Sequence, residues 1–517
     1  MERIRADVCV VGAGLAGISA ALAGAEQGAS VVLLTDGRPC GGSSFQGGTW
    51  GLGMVLPADR TPEASVSLAE KVIEVGLGCS NDAVVRSLCD QAWDCVDWLQ
   101  GLGVALQSPG AGHERDTAYV PCFDTEVRGW RLFPPRQAEG PMLSALDRAG
   151  VRVLDAHAVS LLGEPGRVSG VLGAGADGLV SVRSRATVLA TGGTAGVCSS
   201  CLTLPSLEGD GAALAIDAGA EVRGLEFIQV MAGVERNGAR PLVCNEKVWR
   251  ATTLTGADGR DAFEAAGIPA AEARAALEAH SVHGPFTVER VSRLVEQAIA
   301  HATATGGCWA STDLRQLEGQ ELVEDFASWL RDMGVDPAAP LPVRLYAQAA
   351  NGGIVVDTQG RTTVRGLYAA GECAQVYGAD RLGGMASVMA LTLGRAAGTN
   401  AANERAVEPL DGGPLSPLSA ALVEPNAREG LKRTADRALL GPRTTRGLEE
   451  LLAQARSLQA RAEKQAVDPH DLDDLGAGAV GALRKNATAR QQAAATAAIA
   501  KACLGRRESL GPHWRQG

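Results

Sequence analysis

Two glycine-rich segments near opposite ends of the chain constrain its fold more than anything between them. VCVVGAGLAG spans residues 8–17, and GLYAAGECAQVYGADRLGGMAS spans 366–387. The first predicts a short apolar strand over Ala6–Val11, a turn through Gly12-Ala-Gly14-Leu-Ala-Gly17, an Ala-rich helix over 15–27 and a second strand over Ser30–Leu34. In such a turn the first glycine permits the bend and the second lets the backbone approach a pyrophosphate. The third packs helix on strand, while the helix N-terminus offers free N–H groups to the anion. Strand–turn–helix signals return over residues 345–405. Matched halves this far apart imply that one nucleotide-binding domain is assembled from both.

An acidic residue about 20 positions after the fingerprint ordinarily holds the ribose. The second strand here ends LLTDG, so Thr35 or Asp36 is the candidate. GGSSFQGGTWG (41–51) then sets glycines around two serines and a glutamine, whose hydroxyls and exposed N–H groups suit phosphate. Phe45 and Trp50 in the same segment call for burial and argue against a free surface loop.

At 517 residues the chain is too long for one core, so two or three domains are expected. A net charge of −11, with no basic block, makes nucleic acid and anionic membranes poor partners. The 12 scattered cysteines do not form a disulfide framework, which points to a reducing, cytoplasmic setting. Cys198 and Cys201 have redox-motif spacing, but they follow ATGG in a loop and are read as incidental thiols. The seven histidines are dispersed, so no metal site is expected. MERIR before an apolar run superficially resembles a secretory signal, yet the glycine spacing behind it fits a strand and phosphate turn. Uncharged runs at 39–58 and 186–207 contain Gly, Ser and Pro, and read as ligand-lining loops rather than membrane spans.

Along the chain, residues 64–100 predict helix, with Leu68, Val72, Leu88, Val96 and Leu99 at helical intervals. Residues 151–190 predict strands around glycine turns. The composition shifts to charged, Ala-rich helices over about 226–344, and a Pro/Gly-rich link at 408–417 precedes helices over roughly 418–505. The expected divisions are 1–225 and 345–407 for the nucleotide-binding domain, 226–344 for an inserted domain, and 418–517 for a helical C-terminal domain.

Taken in order, these segments resemble the flavoprotein family of succinate dehydrogenase, fumarate reductase and L-aspartate oxidase. VCVVGAGLAG is similar to that family's FAD loop, and SSFQGG to its serine-then-QGG segment. VLATGG (188–193) and EGDGAALAIDAGA (208–220) resemble its ATGG and GDG signatures, and NGGIVVDTQGRTTVRGLYAAGE (351–372) its GGI…GLYAAGE run. RLGGMAS (381–387) and the terminal RRESLGPHWRQ (506–516) complete the likeness. The resemblance implies an α/β fold: a bipartite Rossmann-like FAD-binding domain, an inserted α+β capping domain over the flavin, and a helical C-terminal domain. It makes Gly12, Gly14, Gly17, Thr35 or Asp36, Ser43, Ser44, Gln46, Gly47, Gly48, Thr191, Gly192, Asp210, Glu372, Ala386 and Ser387 the cofactor-binding positions. Glu372 would bind the ribityl chain, and the Ala386–Ser387 backbone would approach the flavin ring. Family members that bind FAD covalently carry a histidine before QGG; none lies within Cys40–Phe45, so non-covalent FAD is expected.

The catalytic half of the pattern departs from the family. Arg381 matches the arginine that grips a substrate carboxylate, a task suited to a planar bidentate fork. The family's H-Y-T-x-GG histidine is Gln348 here, its capping-region F-x-Q-F-H-P histidine is Met231, and its frequent Asn after RLGG is Met385. The P-R-D-x-x-x-R arginine has no clean counterpart; register places Ser292 there, between Arg290 and Arg293. Gln348 can hydrogen-bond a substrate but cannot titrate, so His283, Arg290 and Arg293 are the remaining candidates for moving a proton. The expected activity is oxidoreduction, by hydride transfer with flavin N5, at a C–C or C–N bond next to a carboxylate or carbonyl of a small molecule. The expected electron partner is external: dioxygen, a quinone or another protein. Two alternatives stand beside it: a flavoprotein subunit of a multi-subunit electron-transfer complex, and a flavin-binding protein with a degenerate catalytic site.

Overall fold

A computed structural model of the protein describes residues 1–46, 53–108, 122–405, 412–420 and 423–516. Its central sheet runs in the order Arg152–Asp155, Val31–Thr35, Glu2–Val11, Gly178–Leu189, Arg167–Gly175, His157–Glu164. The first four of these strands are parallel, and Arg167–Gly175 runs antiparallel to both of its neighbours. Leu367–Ala369, from the distant second segment, pairs in parallel with Thr187–Leu189. Val8–Val11, Val31–Leu34 and Val188–Leu189 are all buried, as strands covered on both faces require.

Leu15–Glu26 follows the first strand and packs against the long helix Met385–Ala402. The expected helix over 64–100 is three helices, Pro62–Val75, Asp82–Asp90 and Ala92–Gly101. Thr61 opens the first, its side chain accepting from the Ala64 N–H with Pro62 behind it. Gly76-Leu77-Gly78 ends it, with both Leu77 and Gly78 at positive φ.

The inserted region contains more strand than its composition announced. Leu242–Val243, Ile228–Val234, Leu341–Ala350, Cys308–Thr312 and Thr252–Gly256 form an antiparallel sheet in that order. Ala270–His280, Arg293–Ala304 and Glu321–Asp332 are the helices of this region. The Ala-rich helices dominate the composition and mask the short strands between them. After it, Pro425–Leu439, Thr445–Ala462 and Ala477–Gly505 make the helical C-terminal part. The last helix is pinned from inside, since buried Arg490 forks onto Asp217 with both contacts at 2.7 Å and also reaches Glu463. The RRESLGPHWRQ tail is likewise structural: Arg443 reaches His513 Nδ1 at 2.8 Å, and Arg506 Nε donates to Glu226 Oε1 at 2.8 Å. Among the described residues no helix is long and apolar enough to cross a membrane.

Candidate active site

A cavity of about 520 Å³ opens along the carboxyl ends of the parallel strands, where open α/β sheets bind ligands. Its wall includes Gly12, Gly14, Thr35, Asp36, Ser43, Ser44, Thr191, Gly192, Asp210, Glu372 and Ala386. Gly12 sits at φ +104°, and a Cβ there would lie 2.4 Å from the Ala190 carbonyl oxygen, so only glycine fits the turn. Ser43 and Ser44 stand on the short helix Ser43–Gln46. Gly47 and Gly48 lie outside the described residues, and Gln46 is placed only by its backbone.

The polar wall is incomplete as it stands. Ser43 Oγ, Thr191 Oγ1 and Asp210 Oδ1 line the cavity, are buried and have no hydrogen-bond partner. Buried polar atoms are ordinarily satisfied, and a ligand with phosphate, ribose and ribityl groups would satisfy these. Asp210 is pushed up to about 6 by burial, partly offset by the charge of His157. Glu372 is half-buried at the cavity wall and accepts the Ala350 N–H at 2.8 Å. Burial holds its carboxyl above the ordinary value, against the charge of Arg381 and that N–H bond. The residues present fit a dinucleotide carrying hydroxyls at this end.

Through the Ala350 N–H that Glu372 accepts, the site adjoins the end of the inserted-sheet strand Leu341–Ala350. In the pairing of Ile228–Val234 with Leu341–Ala350, Gln229 faces Ala349 but Val230 faces Ala347. Gln348 is therefore the extra residue of a β-bulge, a device that re-aims a side chain beside a site. Its Oε1 lies 3.5 Å from Arg381 Nη2. Arg381 is buried, stacks over Tyr377 at 5.4 Å, and leaves Nη1 without a partner. Met231 stands on the neighbouring strand, its Sδ-methyl against Gly284.

The remaining sequence candidates separate. Arg290 lies over the Phe123 ring at 5.2 Å, on the same segment as Thr287, whose hydroxyl meets Asp380 Oδ2 at 2.6 Å. His283 is fully buried, 4.5 Å from the Phe123 ring, with Nε2 on Ser292 Oγ at 2.6 Å. Burial first, then the charges of His280 and Arg290, drive its pKa down to about 2, so the ring stays neutral. Arg293 is turned to bond the Arg290 carbonyl at 3.1 Å. Ser387 Oγ is buried and unpartnered near the start of Met385–Ala402. Cys198 and Cys201 are free and buried, and burial raises both thiols. Among the described residues no group of His, Cys, Asp or Glu could hold a metal ion.

Sequence reasoning missed His157, which touches Asp36, and Asp380, which touches the capping segment. Neither lies in a local pattern, since their partners are 121 and 93 residues away.

A split Rossmann-like sheet, a glycine cradle and a buried arginine facing the inserted sheet define an FAD-binding oxidoreductase. Comparison with known proteins agrees. The FAD binding domain family model matches residues 7–260 and 338–387. An L-aspartate oxidase of Caulobacter vibrioides is 30% identical over 472 residues, covering 87% of this chain and 86% of that protein. An L-aspartate oxidase of Streptomyces coelicolor is 31% identical over 407 residues, 73% of this chain and 65% of that protein's length. In structure, an E. coli quinol fumarate reductase covers all of this chain and 92% of its own at 21% identity, with a TM-score of 0.77. A Mycobacterium smegmatis Sdh1 structure gives a TM-score of 0.78 at 21% identity, covering 100% of this chain and 89% of its own. The chain belongs to the FAD-dependent oxidoreductase family of the L-aspartate oxidases and the fumarate reductase and succinate dehydrogenase flavoproteins.

Proposed function

We propose that the protein oxidises or reduces a C–C or C–N bond next to a carboxylate or carbonyl of a small molecule, using FAD held without a covalent link. The observation that carries this reading is Arg381: a buried guanidinium with one long contact, an open Nη1, and no carboxylate within salt-bridge distance among the described residues. An unpaired buried charge is costly, and a substrate carboxylate would complete it in bidentate form. Bound FAD supplies hydride acceptance or donation at its N5.

The chain's own residues have these roles. Gly12, Gly14, Gly17, Ser43, Ser44, Thr191, Gly192 and Asp210 receive the dinucleotide. Glu372 holds the ribityl hydroxyls, and the Ala386–Ser387 backbone lies at the flavin ring. Arg381 anchors the anionic group, and Gln348 donates its amide N–H to the same substrate. Met231 offers apolar surface, so a carboxylate with a less polar remainder suits the site better than succinate, fumarate or aspartate. Arg290 is our choice for handling the proton, because its charge acts on Asp380 and His283 and it follows Thr287, whose hydroxyl bonds Asp380, the residue before Arg381. His283 is neutral and enclosed, and we assign it a structural role.

The electron partner is external: dioxygen, a quinone or a separate protein. The protein is placed in the cytoplasm, in keeping with free cysteines throughout the described residues. Photoreducing the purified protein and screening carboxylates for anaerobic flavin reoxidation tests the proposal. Reoxidation by a carboxylate, lost in Arg381→Ala, supports it. If no compound changes the rate and Arg381→Ala leaves every activity intact, the site is a flavin-binding relic or needs a partner subunit.

A further inference from the structure

At the adenosine end of the cavity lies a charged cluster that the glycine fingerprint does not explain. Asp36 directly follows the second strand, where the ribose-holding acid belongs, yet both of its oxygens are already engaged. Oδ2 lies 2.9 Å from His157 Nδ1, and Oδ1 meets the Arg484 guanidinium. His157 begins the strand His157–Glu164 and is buried. Its other nitrogen, Nε2, lies 2.8 Å from Gln491 Oε1.

The protonation of this ring follows from its neighbours. Gln491 donates its amide nitrogen to the Ala158 carbonyl at 2.8 Å, which turns its oxygen towards His157 as an acceptor. Thr488 donates its hydroxyl to the Arg484 carbonyl at 3.0 Å, so it too presents lone pairs to Nε2, at 3.4 Å. Nε2 therefore carries a proton. Nδ1 faces a carboxylate and carries one as well, so the ring is an imidazolium. Burial alone would oppose this charge; the hydrogen bond to Asp36 and the carboxylates of Asp210 and Asp36 outweigh it and raise the histidine above its ordinary value.

We propose that His157 is a cofactor-positioning residue: as an imidazolium it fixes Asp36 for the ribose of FAD and ties the helix Ala477–Gly505 to the occupied site. Each Asp36 oxygen keeps a lone pair for a ribose hydroxyl, while its direction is set from behind by His157 and Arg484. The charges around His157 come from every element packed on it. These are Asp36 from just after the second strand, Asp210 from Asp210–Asp217, and Arg484 from the C-terminal helix, with Gln491 and Thr488 as its neutral contacts. Loss of its proton takes one positive charge from between the carboxylates of Asp36 and Asp210 and a dianionic pyrophosphate. FAD affinity then falls as pH rises through the histidine's pKa. The inference rests on FAD binding and is independent of which substrate Arg381 takes.

The test is an FAD titration of the deflavinated protein by fluorescence quenching between pH 6 and pH 9, with wild type, His157→Gln and Arg484→Ala. Wild type is expected to bind FAD more weakly as pH rises. His157→Gln should bind about tenfold more weakly at pH 6, the scale of one charge-assisted hydrogen bond, with no pH slope of its own. Arg484→Ala, at the solvent side of the cluster, should weaken binding several-fold while keeping the slope. Hydrogen exchange should show FAD protecting amides 484–491 in wild type and less so in the variants. A His157→Gln protein that binds FAD within twofold of wild type at every pH would overturn the proposal. Should that variant fail to fold, a flat wild-type profile, or Arg484→Ala with unchanged affinity and protection, would overturn it equally.

Discussion

Arg381 and Gln348 meet at the seam between the nucleotide-binding sheet and the inserted sheet, Nη2 to Oε1 at 3.5 Å. That distance is at the outer limit of a hydrogen bond, and it leaves the guanidinium under-satisfied in a buried position. The pair unites the two halves of the site, one from the loop before Met385–Ala402 and the other from a bulge in the capping strand.

The two side chains should differ in what their loss does. Arg381→Ala removes a buried charge partner, worth about 2–5 kcal/mol or at least roughly thirtyfold in kcat/KM. Gln348→Ala removes a neutral hydrogen bond of about 1 kcal/mol, a severalfold rise in KM with kcat little changed. Steady-state kinetics with the carboxylate that reoxidises or reduces the flavin separates the two; equal losses would contradict the division of roles.

Gly12→Ala should abolish flavin loading. The substitution sets a Cβ 2.4 Å from the Ala190 oxygen at φ +104°, inside the phosphate turn. Purified protein is expected to lack absorbance near 450 nm while keeping its far-ultraviolet dichroism, because the turn lies beyond the carboxyl end of its strand and carries none of the ladder pairs.

The flavin should leave on denaturation. Acid precipitation of the yellow protein is expected to release all FAD to the supernatant, in line with the lack of histidine from Cys40 to Phe45. Flavin retained in the pellet would reveal a covalent link.

Asp380 should make stability depend on pH in an unusual direction. Thr287 Oγ1 lies 2.6 Å from Asp380 Oδ2 and 2.7 Å from Glu289 Oε2. One hydroxyl has one proton to give, so a carboxyl must supply the second, and Asp380 is the buried one. Burial pushes it up to about 7, with Glu289 adding to the rise and Thr287 and Arg290 opposing it. The folded state thus holds a proton that the unfolded chain releases near 3.8, and stability falls as pH rises from about 4 to 7. Asp380→Asn should remove that slope and melt higher than wild type at pH 8, by an amount of order 2–4 kcal/mol. Thermal melts at pH 5 and pH 8 check it; parallel shifts at both would contradict the shared proton.

The nucleotide half of the protein was legible because its chemistry is local. VCVVGAGLAG encodes strand, turn and helix within one stretch, and GLYAAGE places Glu372 within a few residues of its strand. The capping sheet was less legible, because Ala-rich helices outweigh its short strands and the bulge at Gln348 depends on a partner strand that begins over 100 residues earlier. His283 was a reasonable proton carrier from its position, but the packing of Phe123 and the bond to Ser292 are tertiary facts. His157 and Asp36 illustrate the same limit: spacing nominated Thr35 or Asp36, whereas the contact of His157 with Asp36 arrives through the fold.

The carboxylate role of Arg381 is tested most directly by binding without turnover. Oxidised protein is titrated with monocarboxylates of increasing apolar tail, with succinate as the dicarboxylate control, and the flavin absorbance is followed. Wild type is expected to show a saturable spectral change, tightest for a ligand with an apolar remainder, and Arg381→Gln to bind at least thirtyfold more weakly while retaining FAD. The same spectral change with unaltered affinity in Arg381→Gln would contradict the assignment of Arg381 as the substrate's anchor.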